Sequence, residues 1–100
     1  MKYCFDLDGT LCDTPGDDYR KAKPYRDRIR LVNSLYDSGH EIFIHTARGS
    51  TTNIDWLDFT AKQLQEWGVK YTLLSLGKPG ADMYIDDRAI YSEKFFSRGL

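Results

Sequence analysis

The sequence predicts an open α/β sheet of the doubly wound, Rossmann-like kind, mainly parallel, with flanking helices, in a single domain over residues 1–100. Three observations predict it. Short apolar runs alternate with helix-period stretches in the order strand, helix, strand, helix, strand, strand. The connections that contain helices imply parallel strands with right-handed crossovers. Neither a repeat nor a linker divides the 100 residues, a length that suits one domain.

Each element has its own signal. Residues 2–6 (Lys-Tyr-Cys-Phe-Asp) read as a short buried strand. Residues 10–23 hold Pro15 and Gly16 among polar and charged residues and read as a loop or small flap. Pro24 suits the first turn of a helix, in which Ile29, Val32, Leu35 and Tyr36 recur at helical spacing before Gly39 ends it. Residues 41–46 (Glu-Ile-Phe-Ile-His-Thr) are a second strand. Thr52 with Asp55 resembles a capping box, and Ile54, Leu57, Ala61, Leu64 and Trp67 form one stripe of a helix that Gly68 closes. Residues 69–74 and 82–86 are expected as the third and fourth strands, with a short helix from Ser92.

Composition excludes several classes. A net charge of −1 argues against a general affinity for nucleic acid or anionic membrane. No apolar run approaches the ~20 residues that span a bilayer, and Asp6 and Asp8 interrupt any leader-like core, so a cytoplasmic protein is expected. Cys4 and Cys12 match neither a redox pair nor a zinc quartet and are expected as two buried thiols.

In open α/β sheets ligands bind beyond the carboxyl ends of the strands. Those ends would collect Asp6-Leu7-Asp8-Gly9-Thr10, then Thr46-Ala47-Arg48, then Gly77-Lys78-Pro79-Gly80, then Asp86-Asp87-Arg88. Adjacent carboxylates repel unless a cation intervenes. A hard divalent ion with oxygen ligands is the natural partner, and Mg²⁺ with a phosphate is the usual pairing.

This set resembles the four motifs of haloacid dehalogenase-type phosphotransferases, in their order and over residues 2–90. The segments Tyr19–Pro24, His45–Gly49 and Gly77-Lys78-Pro79 resemble small capless sugar-phosphatase-like proteins associated with capsule or surface-polysaccharide genes. The resemblance implies a Mg²⁺-dependent phosphomonoester hydrolase acting on a sugar phosphate or related small metabolite. Asp6 would be the nucleophile that forms an aspartyl-phosphate. Asp8 would be the general acid and then the base. Thr46 and the Ala47 backbone N–H would hold a phosphoryl oxygen, Gly9 would allow close approach, and Lys78 would offset charge on the phosphoryl group and Asp6. Asp6, Asp8 through its backbone carbonyl, Asp87 and Asp86 would make up the metal set, with Asp87 the direct ligand at the last motif and Asp86 bonded to Lys78. Arg48 would reach the leaving portion of the substrate. His45 is expected to pack rather than react.

Two other readings stand beside this one. Thr46-Ala47-Arg48 and Asp86-Asp87-Arg88 also resemble nucleotide or polynucleotide-end phosphatases of the same superfamily, although acids alternate with Arg20, Lys21, Lys23, Arg26 and Arg28. A retired, non-catalytic binding domain is the other. Larger relatives insert a cap domain after the first motif or between the second and third; here neither gap has room for an independent domain. An open site is therefore expected, together with a homo-oligomer in which residues 14–28 lie near a neighbour's cleft.

Overall fold

A computed structural model describes residues 1–52 and 54–97. The central strand is β4 (Glu41–Thr46), flanked in parallel by β1 (Lys2–Phe5) on one side and β5 (Leu73–Leu76) on the other. The register sets Lys2 against Glu41 and Phe5 against Ile44, while Phe43 meets Leu73 and Thr46 meets Leu76. Helix α1 (Arg26–Asp37) connects β1 to β4, and α2 (Leu57–Glu66) connects β4 to β5. A two-residue ribbon, β2 (Cys12–Asp13) with β3 (Lys23–Pro24), anchors the flap, and two 3₁₀ turns at Pro15–Asp17 and Tyr19–Lys21 fill it. Helix α3 (Ser92–Phe96) packs Phe95 and Phe96 against Phe5.

The core gathers on one face of the sheet. Phe5, Ile42 and Ile44 meet Ile29 and Val32 of α1, Leu64 of α2 and Phe95 of α3. Strands laid down in one direction by right-handed crossovers put their helices on one side. The opposite face, with Cys4, Phe43 and Leu73, is half-buried or exposed.

Several expectations change. The second strand falls where it was placed, but the third begins at Leu73 rather than at residue 69. No fourth strand forms at 82–86: residues 79–91 are exposed and irregular, with Met83 75% and Ile85 92% accessible. A doubly wound sheet needs a strand that reverses the direction of winding. Without one, this is a three-stranded parallel sheet covered by helices on one face. Pro24 lies in β3 rather than in a helical turn, because Tyr25 donates its N–H to the Leu11 carbonyl and extends the ribbon. The capping box is displaced too. Asp55 accepts the Leu57 N–H at 2.9 Å, and Thr52 lies outside the helix.

Gly49, in the loop that leaves β4, has φ +80°. A Cβ there would run into the Ile54 carbonyl oxygen and lie 3.1 Å from the Trp56 ring. Gly39, just past α1, has φ +95° but nothing within 4 Å of where its Cβ would sit. Gly49→Ala should therefore cost roughly 1–3 kcal/mol or more. Gly39→Ala should cost only about 1 kcal/mol. Thermal melts of the two variants check the order; equal losses would contradict the close packing at Gly49.

Candidate active site

Because Phe5 and Ile44 are paired, the chain leaves β1 and β4 along one edge. Asp6 is the first residue past β1. Its Oδ2 accepts the Thr10 hydroxyl at 3.1 Å, and its Oδ1 faces Lys78 Nζ at 3.4 Å. Lys78 arrives two residues after β5 and is tied to the second strand end by its own N–H, which donates to the Thr46 carbonyl at 3.2 Å. Its ammonium also lies 4.3 Å from the Tyr84 ring centre, and the Tyr84 hydroxyl donates to the Pro79 carbonyl. The Asp6 side chain is 36% accessible, so this carboxylate is held by two donors and still open to a ligand.

Asp8 is bound differently. Arg48 donates from Nε to its Oδ2 and from Nη2 to its Oδ1, both at 2.9 Å. The Thr14 hydroxyl donates to Oδ1 at 2.5 Å, and the Cys12 thiol lies 3.6 Å from the same oxygen. Oδ2 therefore keeps more unused acceptor capacity than Oδ1. Burial alone would raise the Asp8 pKa, but the hydrogen bonds from Arg48 and Thr14 and the guanidinium charge outweigh it and hold the carboxyl below its ordinary value. At neutral pH such a group is ionised and only weakly basic, and it can act as an acid only when its surroundings raise its pKa.

The phosphate-binding candidates are partly assembled. Thr46 is buried, and its hydroxyl accepts the Arg48 N–H at 3.2 Å, which leaves its own O–H to donate. Ala47 begins the turn in which its carbonyl accepts the Ser50 N–H. Gly9 is exposed with open space around it, but its N–H is already given to the Cys12 carbonyl. It offers room rather than a donor.

Two assignments are corrected. Arg48 does not point toward a leaving group. It is 2% accessible, and its remaining donor, Nη1, goes to Thr60 at 3.2 Å and Gln63 at 2.8 Å. Asp86 and Asp87 are not brought to the first two acids. Asp86 accepts the Arg88 N–H, Asp87 lies 4.0 Å from Arg88 Nε with its side chain 89% accessible, and the carboxylate bonded to Lys78 is Asp6. Among the described residues no three His, Cys, Asp or Glu are grouped to hold a metal. Hard oxygens suit Mg²⁺. As they stand, however, Asp86 and Asp87 are directed to solvent, and of the expected ligands only the Asp6 carboxylate and the Asp8 backbone carbonyl remain at the strand end, so the described residues do not assemble a complete cation site.

Some contributors escape the sequence reading. The helix stripe was expected to bury Ile54 and Leu57, yet these are 55% and 44% accessible, and Thr60 and Gln63 are buried beside Leu64. The signal was present: two polar residues three apart on a helix, adjoining its apolar side, can face a buried charge. Tyr19 completes the group, its ring 4.6 Å from the Arg48 guanidinium and its carbonyl accepting from Gln63 Nε2 at 2.8 Å. Arg28 donates to the Thr10 carbonyl at 2.9 Å and pairs with Glu93, which ties the first loop to α1 and α3.

A structural-genomics target protein from Vibrio cholerae, known from its crystal structure, matches 96% of this chain over 87% of its own length, with 36% identity and a TM-score of 0.83. The chain belongs to the family of that Vibrio cholerae protein. A chain of the Pnkp1/Rnl/Hen1 complex is similar in fold, with 19% identity and a TM-score of 0.61; it matches 99% of this chain over 34% of its own length. No protein-family model and no curated protein matches the sequence. Among the described residues, no helix is long and apolar enough to cross a membrane.

The cysteines also differ from expectation. Cys4 is exposed, and only Cys12 is buried. Burial, helped by the nearby Asp8 charge, pushes the Cys12 thiol up to about 11. Since the thiolate is the reactive form, iodoacetamide at pH 8 should label Cys4 in the native protein and reach Cys12 only after denaturation. Peptide mass mapping that found both labelled at similar rates would contradict this packing.

Proposed function

We propose that the chain hydrolyses phosphomonoesters through a covalent aspartyl-phosphate on Asp6. The observation that carries this reading is the pairing of two acids, two residues apart at one strand end, with two different cations. Lys78 lies beside Asp6, and Arg48 lies behind Asp8. An oxygen of Asp6 would bond to phosphorus as the ester oxygen departs, with Lys78 and the Thr46 hydroxyl offsetting charge on the phosphoryl group. Asp8, protonated once a bound phosphate's negative charge raises its pKa, would give that proton to the leaving oxygen and later take one from the water that attacks phosphorus and frees Asp6 with release of inorganic phosphate. The haloacid dehalogenase-type assignment and the capless architecture belong to this proposal. So does the magnesium requirement, which needs Asp86 or Asp87 to approach Asp6 more closely than they do in this arrangement.

The substrate class proposed first is a sugar phosphate or similar small metabolite, on the strength of the residue segments that resemble capless sugar-phosphatase-like proteins. A second reading, a phosphatase of nucleotides or polynucleotide ends, is favoured by the fold shared with a chain of the Pnkp1/Rnl/Hen1 complex. A phosphate-release panel of sugar phosphates, nucleotides and phosphate-ended oligonucleotides distinguishes the two.

Asp6→Asn should reduce turnover of the best substrate to background while leaving the melting temperature near that of the wild type, because the amide is nearly isosteric and is not a useful nucleophile. Wild-type turnover in this variant would remove Asp6 from its role. EDTA should abolish phosphate release, Mg²⁺ should restore it, and Ca²⁺, which prefers more ligands at longer distances, should restore little. Activity that survives thorough chelation would remove the metal from the reading.

A further inference from the structure

We infer that Arg48 is a positioning residue for Asp8, held in place by Thr60, Gln63 and the Tyr19 ring, and does not contact substrate itself. The inference rests on the hydrolase reading above.

Accessibility around the pair is unequal. The Arg48 side chain has no access to solvent, whereas that of Asp8 is 26% accessible. A guanidinium is therefore buried behind a carboxylate that still faces outward. An ion pair serving stability alone has no need of this arrangement, and a buried pair is in general no better for stability than apolar packing. The guanidinium plane is fixed on every side. Nε and Nη2 hold both oxygens of Asp8, Nη1 is held by Thr60 and Gln63, and the Tyr19 ring lies against one face. A bidentate fork of this kind sets the direction of a carboxylate as well as its place. Gln63 also bonds the Tyr19 carbonyl, so the same group ties α2 to the flap.

A lysine at position 48 would keep the charge but could not span two oxygens and the α2 partners at once. The test uses the full chain with two substrates, p-nitrophenyl phosphate and an alkyl phosphate such as glycerol 2-phosphate. A misplaced proton donor harms the poor leaving group most. Arg48→Lys should slow the alkyl ester by ~10²-fold or more, within the usual worth of a general acid. It should slow p-nitrophenyl phosphate far less and leave KM nearly unchanged for both. Added guanidinium should partly restore Arg48→Ala on the alkyl ester. Gln63→Leu, which leaves the Arg48–Asp8 pair intact, should show the same leaving-group bias in weaker form, and it serves where the Arg48 variants fail to fold. A raised KM at unchanged kcat would make Arg48 a substrate contact and overturn the inference. Equal losses on both esters, in Arg48→Lys or in Gln63→Leu, would overturn it as well. If Asp8→Asn shows the leaving-group bias and the Arg48 and Gln63 variants do not, the positioning role fails while the hydrolase reading stands. A wild-type protein inactive on the whole substrate panel would bring down the hydrolase reading, and this inference with it.

Discussion

A guanidinium shut away from water must find acceptors for its N–H groups inside the protein, and this requirement at Arg48 organises the functional end of the molecule. Its four hydrogen bonds draw on the loop after β1, through Asp8, and on α2, through Thr60 and Gln63. Through Gln63 and the Tyr19 ring it also reaches the flap. Arg48 itself stands two residues past β4. Three other chain segments thus converge on one planar cation. The rotation of α2 follows from this. The helix turns Thr60 and Gln63 inward and leaves Leu57 exposed, because an unmatched buried charge costs more than an exposed leucine.

Much of this was legible in the sequence. Helix α1 and strand β4 carried clear apolar periods, and the DxD segment, Thr46 and Lys78 fell at or just beyond strand ends as expected. The misreadings have physical causes. An arginine beside a strand end looks like a ligand contact unless its buried partners are known, and those partners lie 12 and 15 residues further on. Pro24 carries the same fixed φ in a helix start as in an edge ribbon, so the residue alone does not distinguish them. Residues 69–74 and 73–76 are both apolar enough for a strand; pairing of Leu74 with Ile44 chose the later register.

The segment from Pro79 to Tyr91 shows where pattern reading and packing part. Met83-Tyr84-Ile85 looks like a strand from its residues, yet a strand exists only when a neighbour supplies hydrogen bonds, and among the described residues β1 and β5 each pair only with β4. What holds the segment near the site is the contact of Tyr84 with Lys78 and with the Pro79 and Ala81 backbone. The acids at 86 and 87 follow the chain outward, and the site's charge balance therefore rests on Asp6 with Lys78 and Asp8 with Arg48.

The central place of β4 also bears on the order in which the molecule is made. Strand β1 is made before its sheet partner, which begins at Glu41, and the third strand follows only at Leu73. Parallel pairing over such separations is slow, because chain entropy must be lost before contacts repay it. During synthesis Asp6 and Asp8 would spend that interval solvated and without their cations, Arg48 arriving some 40 residues after Asp8 and Lys78 some 72 after Asp6. Both acids are thus made well before the cations that neutralise them.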